Sequence, residues 1–435
     1  MVAMSSRLFF KLGAILLGFL VLALVEVGLR IGGWWGNQPN PITLPVKWAE
    51  GHLPSAGHLT PPLLVEKQNS VVTSGKLQPF MPKISFAKQK TQGVKRIFSF
   101  GGSSTLGVPV EKSPSKTFPG QIQVQLQALG IKTESINLGG ASFSSDHVRQ
   151  LALESLRYDP DALVIYSGNN EYFQYMLELT TINTTWTPKP LYIERLHLFR
   201  AIASLFSEAQ DSSELYKTQK QKETLLLRQA ITDLAPIAEE KYRRTDTITQ
   251  QVNQRYLANL QQIVSAAKAQ SVPVFVVLIP ANLLHPPELS LHNPELSQEQ
   301  LQQWQKRFKE AKNTDCAKSI PLWTRAIQID PWFAEAWYHR GMCKKQRNEE
   351  AQEDLLTALN LDMNPNRPPE SLQRQLLSLD TFLISVEKPF LNKYGEKLFH
   401  DSCHLTPKGY EKLAESIVQA FISQLGWGIY SQPEK

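Results

Sequence analysis

Serine, aspartate and histidine, the side chains of nucleophilic catalysis, occur at two distant points of this 435-residue chain. Ser103 follows Gly101 and Gly102 directly after a short β-rich run, and Asp401 stands three residues before His404. At that spacing on a turn, a carboxylate accepts a hydrogen bond from the imidazole and fixes its tautomer, which leaves the other ring nitrogen to act as a base toward a serine hydroxyl. The pattern predicts a serine nucleophile with its base and its orienting acid.

Each motif also has a purely structural interpretation. Gly-Ser stretches are common in ordinary loops. Thr406 and Pro407 are typical of a helix N-cap and first helical position, so His404 is then only a packed side chain. The cap and the catalytic role are compatible. Cys403, beside the motif, is expected to be a small buried residue rather than a nucleophile.

Short apolar strands alternate with helical patterns from about residue 94 onward. We predict strands at 95–100, 133–137, 162–166 and 274–279, and helices at 118–129, 146–158, 247–270 and 407–425. This alternation indicates an α/β fold with a parallel sheet and helices on both of its faces. Loops at the carboxyl ends of parallel strands gather on one edge, so Ser103, Ser142 and Asn170 should converge there.

Four short motifs, in this order, resemble the four blocks of the SGNH (GDSL-like) hydrolase superfamily: Gly101-Gly102-Ser103-Ser104, Asn137-Leu138-Gly139-Gly140, Gly168-Asn169-Asn170-Glu171 and Asp401-x-x-His404. The resemblance spans residues 94 to about 425, with interruptions. It implies a flavodoxin-like three-layer α/β/α fold and the hydrolysis or transfer of acyl esters, with no metal or diffusible cofactor.

The resemblance also implies a role for each matching residue. Ser103 matches the nucleophile, His404 the base and Asp401 the residue that orients the histidine. Asn170 matches the oxyanion-hole asparagine, and the backbone N–H groups of Ser103 and Ser142 are the other expected donors.

Three positions depart from the family pattern. Gly102 replaces the aspartate before the nucleophile, Ser142 replaces a glycine of the second block, and Glu171 replaces the aspartate after Asn170. The glycine's task is to donate a backbone N–H, which serine also possesses, so an oxyanion hole is still expected. Thr105 stands where a Gly-x-Ser-x-Gly elbow needs its second glycine, which argues against the α/β-hydrolase fold.

An apolar stretch near the amino terminus predicts a membrane segment. Arg7 and Lys11 precede it, and a count from Leu8 to Ile31 reaches the length of a spanning helix. No small-x-small cleavage site follows, which favours a signal anchor over a cleaved signal peptide. We predict a single-pass protein of the inner (cytoplasmic) membrane, with the short tail inside and the catalytic domain on the extracytoplasmic, periplasmic side.

The predicted organisation has five parts: tail and transmembrane signal anchor, 1–35; stalk or lead-in, 36–93; first part of the hydrolase domain, 94–310; helical insertion, 311–368; last part of the hydrolase domain, 369–430. A further helical insertion within the first hydrolase part, at about 175–246, is either a lid or a surface element without function.

The insertion at 311–368 resembles a tetratricopeptide repeat, with an Asp330-Pro331 turn between two helices. One repeat forms no solenoid groove, so it must pack on the hydrolase domain, either as a structural hairpin or as a site for a protein partner. Cys316 and Cys343 become neighbours in such a hairpin and predict a disulfide in an oxidising compartment.

The net charge of +6 is mild, and basic residues are scattered among acidic ones, which argues against nucleic acid as a partner. The predicted function is that of a membrane-anchored esterase or acyltransferase on acyl-ester substrates, with polysaccharide or lipid of the cell envelope as the expected class. The alternative is a catalytically inactive scaffold that binds glycan or an envelope assembly partner.

Overall fold

The computed structural model describes residues 62–74, 77, 80–175, 245–363, 366–386 and 398–428, all within one compact unit. The predicted anchor at 1–35 and nearly all of the predicted insertion at 175–246 lie outside these residues. No helix in the described ranges is both long enough and apolar enough to cross a membrane.

The described strands are β1 (Leu64–Lys67), β2 (Ser70–Thr73), β3 (Ser85–Ala87), β4 (Lys95–Gly101), β5 (Thr133–Gly139), β6 (Ala162–Tyr166), β7 (Val274–Leu278) and β8 (Phe382–Ser385). The described α-helices are α1 (Ser103–Leu106), α2 (Phe118–Ala128), α3 (Ser145–Ser155), α4 (Asp246–Lys268), α5 (Gln298–Lys312), α6 (Cys316–Ile329), α7 (Ala334–Gln346), α8 (Gln352–Leu361), α9 (Glu370–Gln375) and α10 (Pro407–Leu425).

The central sheet has the strand order β5-β4-β6-β7-β8, and all four pairings are parallel. Successive residues of a strand face opposite sides. Thus Phe98 and Phe100 of β4 pack with α3 and α4, while Ile97 packs with α2 and α10. Helices cover both faces of a parallel sheet in flavodoxin-like order, so the prediction of an α/β/α arrangement is confirmed.

Strand β8 was not predicted from the sequence. It has four residues at the edge of the sheet, and only Ile384 among them is buried. Such a short edge strand carries too little apolar periodicity to be distinguished from a loop.

The residues before the hydrolase domain are more ordered than the predicted stalk or lead-in. Strands β1, β2 and β3 form an antiparallel sheet. Its apolar residues join the core beneath α3: Leu63, Leu64, Val71 and Phe86. The buried carboxylate of Glu154 on α3 accepts hydrogen bonds from the backbone N–H groups of Leu63 (2.9 Å) and Leu64 (2.8 Å). The described residues between 62 and 93 are therefore part of the domain, because their scattered apolar side chains pack into the core beneath α3.

Helices α5 to α8, here called the helical segment, form consecutive antiparallel neighbours between β7 and β8. The segment begins with α5 at Gln298, and the predicted insertion at 311–368 contains α6, α7 and α8. The disulfide predicted between Cys316 and Cys343 is confirmed and joins α6 to α7, with Cα atoms 4.8 Å apart. Gly341 of α7 lets Leu355 of α8 approach closely, since a Cβ there would lie 2.9 Å from that side chain.

Candidate active site

The structure brings the three predicted triad residues into one line of hydrogen bonds. His404 Nε2 lies 2.7 Å from Ser103 Oγ, and His404 Nδ1 lies 2.7 Å from Asp401 Oδ2. With Nδ1 protonated toward the carboxylate, Nε2 presents its lone pair to the hydroxyl. Residues 301 positions apart thus form the geometry of a serine nucleophile with an oriented base.

The carboxyl edge of the sheet positions both halves of the triad. Ser103 begins α1, two residues after β4 ends, and Gly102 is its N-cap. Asp401 and His404 lie in the turn before α10, here called the catalytic turn, residues 399–405. A bridge between Phe399 and Leu405 closes this turn. Thr406 also caps α10 by accepting the Gly409 N–H at 3.2 Å, so the structural and the site interpretations hold together.

Asp401 is held as a carboxylate by three donors. Its Oδ1 accepts the backbone N–H groups of Cys403 (3.0 Å) and His404 (2.8 Å), and its Oδ2 faces the imidazole. Burial acts to raise the pKa of this carboxyl, but these hydrogen bonds outweigh burial and hold the pKa well below its usual value. The group remains charged at neutral pH.

The pKa of His404 moves in the opposite direction. Burial acts to lower it, whereas the hydrogen bond to Asp401, followed by the contact with Cys403, raises the pKa to about 10. The Asp401 carboxylate therefore makes His404 a stronger base than a solvent-exposed imidazole, and the neutral form that abstracts a proton becomes more populated as the pH rises.

The expected oxyanion donors lie on the two neighbouring loops. Gly140 of the loop after β5 donates to the carbonyl of Gly101 at 3.1 Å, which joins that loop to the end of β4. Asn170, after β6, is 8% exposed and donates through Nδ2 to the carbonyl of Phe143 at 3.0 Å. A carboxamide has two amide hydrogens, so the second remains for a substrate oxygen.

Gly102 explains how Asn170 comes so near the nucleophile. A Cβ at position 102 would lie 2.5 Å from Asn170 Nδ2. The glycine that departs from the family pattern therefore provides the space that this amide occupies beside Ser103.

Ser142 adopts the left-handed backbone conformation, with φ of 57°, which is uncommon for a residue other than glycine. Gln174 Nε2 donates to its carbonyl at 2.7 Å and fixes this peptide. The Ser142 side chain is partly exposed, and its backbone N–H has no hydrogen-bond acceptor within the described ranges. This loop thus presents an N–H donor with serine at position 142.

Several supporting residues were not predicted from the sequence. Ser104 Oγ donates to the carbonyl of Cys403 at 3.0 Å and links α1 to the catalytic turn. Glu171 accepts both the N–H and the hydroxyl of Ser145 at 2.8 Å, which fastens the Asn170 loop to α3. Burial raises the pKa of Glu171 to about 7. The position of these polar residues near strand ends is a sequence signal for a role in the site. Their hydrogen-bond partners are distant in sequence, so local patterns do not predict them.

Asp401, Cys403 and His404 are also a set of metal-ligand types, with ligand atoms within 4.8 Å of one another. The 2.7 Å separation of His404 Nδ1 and Asp401 Oδ2 is that of a direct hydrogen bond. A zinc ion at ~2.0–2.3 Å from each ligand would need these atoms farther apart. The donor arrangement fits an acid–base pair better than a metal centre.

Fold and site together define an α/β protein with a Ser-His-Asp triad at the carboxyl edge of a parallel sheet. No family model matches the chain, and no curated protein does. Among solved structures, the chain is similar to a GDSL-like lipase from Bacteroides thetaiotaomicron, with 11% identity over 76% of this chain and 88% of that chain and a TM-score of 0.30.

Two further solved structures give the same range of similarity. A lipase/acylhydrolase from Enterococcus faecalis has 13% identity over 76% of this chain and 96% of its own, with a TM-score of 0.33. An extracellular lipase from Streptomyces rimosus has 12% identity over 75% of this chain and 98% of its own, with a TM-score of 0.32. At such low TM-scores, function has to be argued from the side chains of the site.

Proposed function

We propose that this protein is a serine esterase of the SGNH type that acts through an acyl-Ser103 intermediate. The observation that carries the proposal is the continuous hydrogen-bond line from Ser103 Oγ through His404 to Asp401, with both bonds 2.7 Å long. A serine hydroxyl alone is a weak nucleophile at neutral pH and needs a base within this distance.

The proposed reaction has two halves. Ser103 Oγ attacks the ester carbonyl carbon while its proton passes to His404 Nε2, and collapse of the tetrahedral intermediate releases the alcohol, which takes that proton. Water then attacks the acyl-enzyme and loses a proton to the same nitrogen. Collapse of the second tetrahedral intermediate releases the acid and returns that proton to Ser103 Oγ. Asp401 holds the imidazole in one tautomer and stabilises its charged form without itself being protonated.

Negative charge on the carbonyl oxygen is stabilised by the donors grouped around Ser103. We assign this role to the backbone N–H groups of Ser103 and Ser142 and to the second amide hydrogen of Asn170. Removal of one such donor in a serine hydrolase costs roughly 10²–10³ in kcat.

Labelling with a fluorophosphonate probe tests the proposal on wild type, Ser103→Ala and His404→Ala, with Ser115→Ala as a control on an exposed serine. We expect wild type and Ser115→Ala to react and the other two variants to lose labelling. Labelling that persists in Ser103→Ala would contradict the site. A folded wild type that never reacts would favour the inactive scaffold instead.

The finer parts of the proposal concern location and substrate. We propose that residues 1–35 anchor the protein in the cytoplasmic membrane, that the hydrolase domain is extracytoplasmic, and that its esters belong to envelope polysaccharide or lipid. The Cys316–Cys343 disulfide supports this location, since structural disulfides persist in oxidising compartments. Carboxyl-terminal fusions to a reporter that is active only outside the cytoplasm test the orientation, and an inactive fusion would contradict it.

Transfer of the acyl group to a sugar hydroxyl, in place of water, is the acyltransferase form of the same chemistry. Incubation of the protein with an ester whose acyl group is labelled, with and without a soluble oligosaccharide, distinguishes acyl transfer from hydrolysis. A new acylated sugar at the expense of free acid would indicate transfer, and free acid alone would indicate hydrolysis.

The helical segment is the proposed surface for a protein partner.

A further inference from the structure

We propose that Asn282 is a positioning residue for the triad and that it connects the helical segment to the catalytic turn; the proposal rests on the proposed function. Asn282 follows β7, and its Nδ2 donates to the backbone carbonyl of Asp401 at 2.8 Å, across 119 positions of sequence. It touches the turn's backbone, not the reacting atoms.

Asn282 is itself held from two sides. Its Oδ1 accepts the Leu284 N–H at 3.2 Å, and its backbone carbonyl accepts a hydrogen bond from Arg367 Nη1 at 2.7 Å. Arg367 is 2% exposed and also donates to the carbonyl of His285 at 2.8 Å. A buried guanidinium with planar, fixed donors makes this loop a rigid support.

The same loop, residues 282–289, is the docking surface of the helical segment. Buried Asp362, at the end of α8, accepts the N–H groups of Glu288 (2.9 Å) and Leu289 (3.1 Å). Tyr338 of α7 donates to the carbonyl of Leu284 at 2.8 Å, and Leu283 packs against Leu355 of α8. The loop is therefore fixed by the helical segment on one side and contacts the catalytic turn on the other.

The catalytic turn has a second side-chain support, from Ser104 Oγ to the Cys403 carbonyl. The two supports hold the backbone carbonyls of Asp401 and Cys403, both before His404 in the turn. Loss of the Asn282 donor leaves the Asp401 peptide free to rotate, which moves the carboxylate away from His404 Nδ1. Because Asn282 contacts no substrate, we expect kcat to fall while KM stays the same.

Two substitutions separate this role from loop stability. Asn282→Ala removes both side-chain hydrogen bonds, whereas Asn282→Asp retains an acceptor for Leu284 and replaces the donor to Asp401 with a carboxylate oxygen that repels the Asp401 carbonyl. Asn366→Ala is the matched control, because its exposed amide bonds Glu288 in the same loop and does not reach the turn. The readouts are kcat and KM for p-nitrophenyl acetate, the melting temperature, and the deshielded Nδ1–H proton of His404 in NMR spectra.

We expect both Asn282 variants to lose about 10- to 100-fold in kcat, with KM within about twofold and the Nδ1–H signal shifted or broadened. Asn366→Ala should match wild type. A folded Asn282→Asp with wild-type kcat and an unchanged Nδ1–H signal would overturn the proposal, as would a loss confined to KM. If wild type has no esterase activity, the proposed function fails, and the Nδ1–H signal alone decides whether Asn282 positions the turn.

Discussion

At the scale of single residues, the site depends on where each polar atom finds its partner. His404 is placed between a hydroxyl and a carboxylate, so its two nitrogens have different and fixed tasks. Asn170 divides its two amide hydrogens between the Phe143 carbonyl and the space beside Ser103. Gly102 contributes by having no side chain at all. The chemistry of Ser103 is thus set by neighbours that leave few alternatives.

The pH dependence of activity follows from His404, which must be neutral to act as a base. Since its pKa is raised to about 10, we expect kcat/KM to increase with pH and to have its midpoint above 6.5. Asp401→Asn removes the carboxylate that raises the pKa, so the midpoint should shift to lower pH and kcat should fall by roughly 10³–10⁴. A wild-type profile with its midpoint at or below 6.5 would contradict the arrangement.

The same pKa has a consequence for stability. A raised folded-state pKa means that the bond to protonated His404 stabilises the fold fully below pH 6.5 and that this contribution is lost as pH rises toward about 10. His404→Ala should therefore flatten the alkaline part of a plot of unfolding free energy against pH. Urea titrations at several pH values measure the unfolding free energy. Parallel plots of this free energy against pH for wild type and His404→Ala would exclude the effect.

Gly102→Asp would restore the residue that the SGNH pattern places before the nucleophile. We expect it to reduce activity, because a Cβ here would displace Asn170 Nδ2 from beside Ser103. The cost in kcat should approach the roughly 10²–10³ of a lost oxyanion donor. Asn170→Ala should lose activity to a similar extent, and a fully active Gly102→Asp would contradict the assigned role of Asn170.

At the scale of elements, the sheet and the helical segment contribute to the site in different ways. Parallel strands β4, β5 and β6 bring the nucleophile and the oxyanion loops together directly at their carboxyl ends. The helical segment contributes at a distance, through a loop that it holds in place. Its own order depends on the disulfide between α6 and α7 and on the paired Arg340 and Asp354, with N–O distances of 2.8 and 2.7 Å.

The disulfide predicts a distinct pattern of alkylation. In denaturant without reductant, one cysteine, Cys403, should react, and all three should react after reduction. Cys316→Ser/Cys343→Ser should lower the unfolding free energy by about 3.5 kcal/mol in the chain-entropy description of a loop that spans 27 positions. Mass spectrometry and urea titration check the two statements. Three alkylated cysteines without reductant would exclude the bond.

How much of this structure the sequence predicted depends on the range of the contacts. Strand β6 is a fully buried apolar run, β4 is buried from Arg96 onward, and the Asp401–His404 pair is local, so the sequence pattern alone predicts all three. Strand β8 and the β1–β3 sheet were not predicted, because their burial depends on residues that are distant in the sequence. The Asn282–Asp401 hydrogen bond, 119 residues apart, leaves no trace in local spacing.

At the scale of the whole molecule, the β1–β3 sheet belongs to the same core as the five-stranded parallel sheet. Phe86 packs edge-on against Phe98 of β4, with ring centroids 5.3 Å apart. The carbonyl of Phe80 accepts the Ala141 N–H at 2.7 Å, directly before Ser142. The lead-in therefore supports both the core and an oxyanion loop.

A chain that starts at residue 94 should consequently fold poorly. It lacks Leu63, Leu64, Val71 and Phe86, each worth about 1.5–3 kcal/mol when buried, against a total stability of about 5–15 kcal/mol for a typical domain. A chain from residue 54 retains them. We expect the shorter chain to be insoluble or to melt far below the longer one, and equal melting temperatures would contradict this account.

The distance along the chain between Ser103 and His404 also determines how long Ser103 exists during synthesis before His404 is made. At the usual ~5–20 residues per second of synthesis, the 301 positions between them take roughly 15–60 s to emerge. During that time the nucleophile exists without its base, so a growing chain is chemically silent toward esters. Reactivity of Ser103 therefore reports that synthesis has passed His404 and that the catalytic turn has folded against α1.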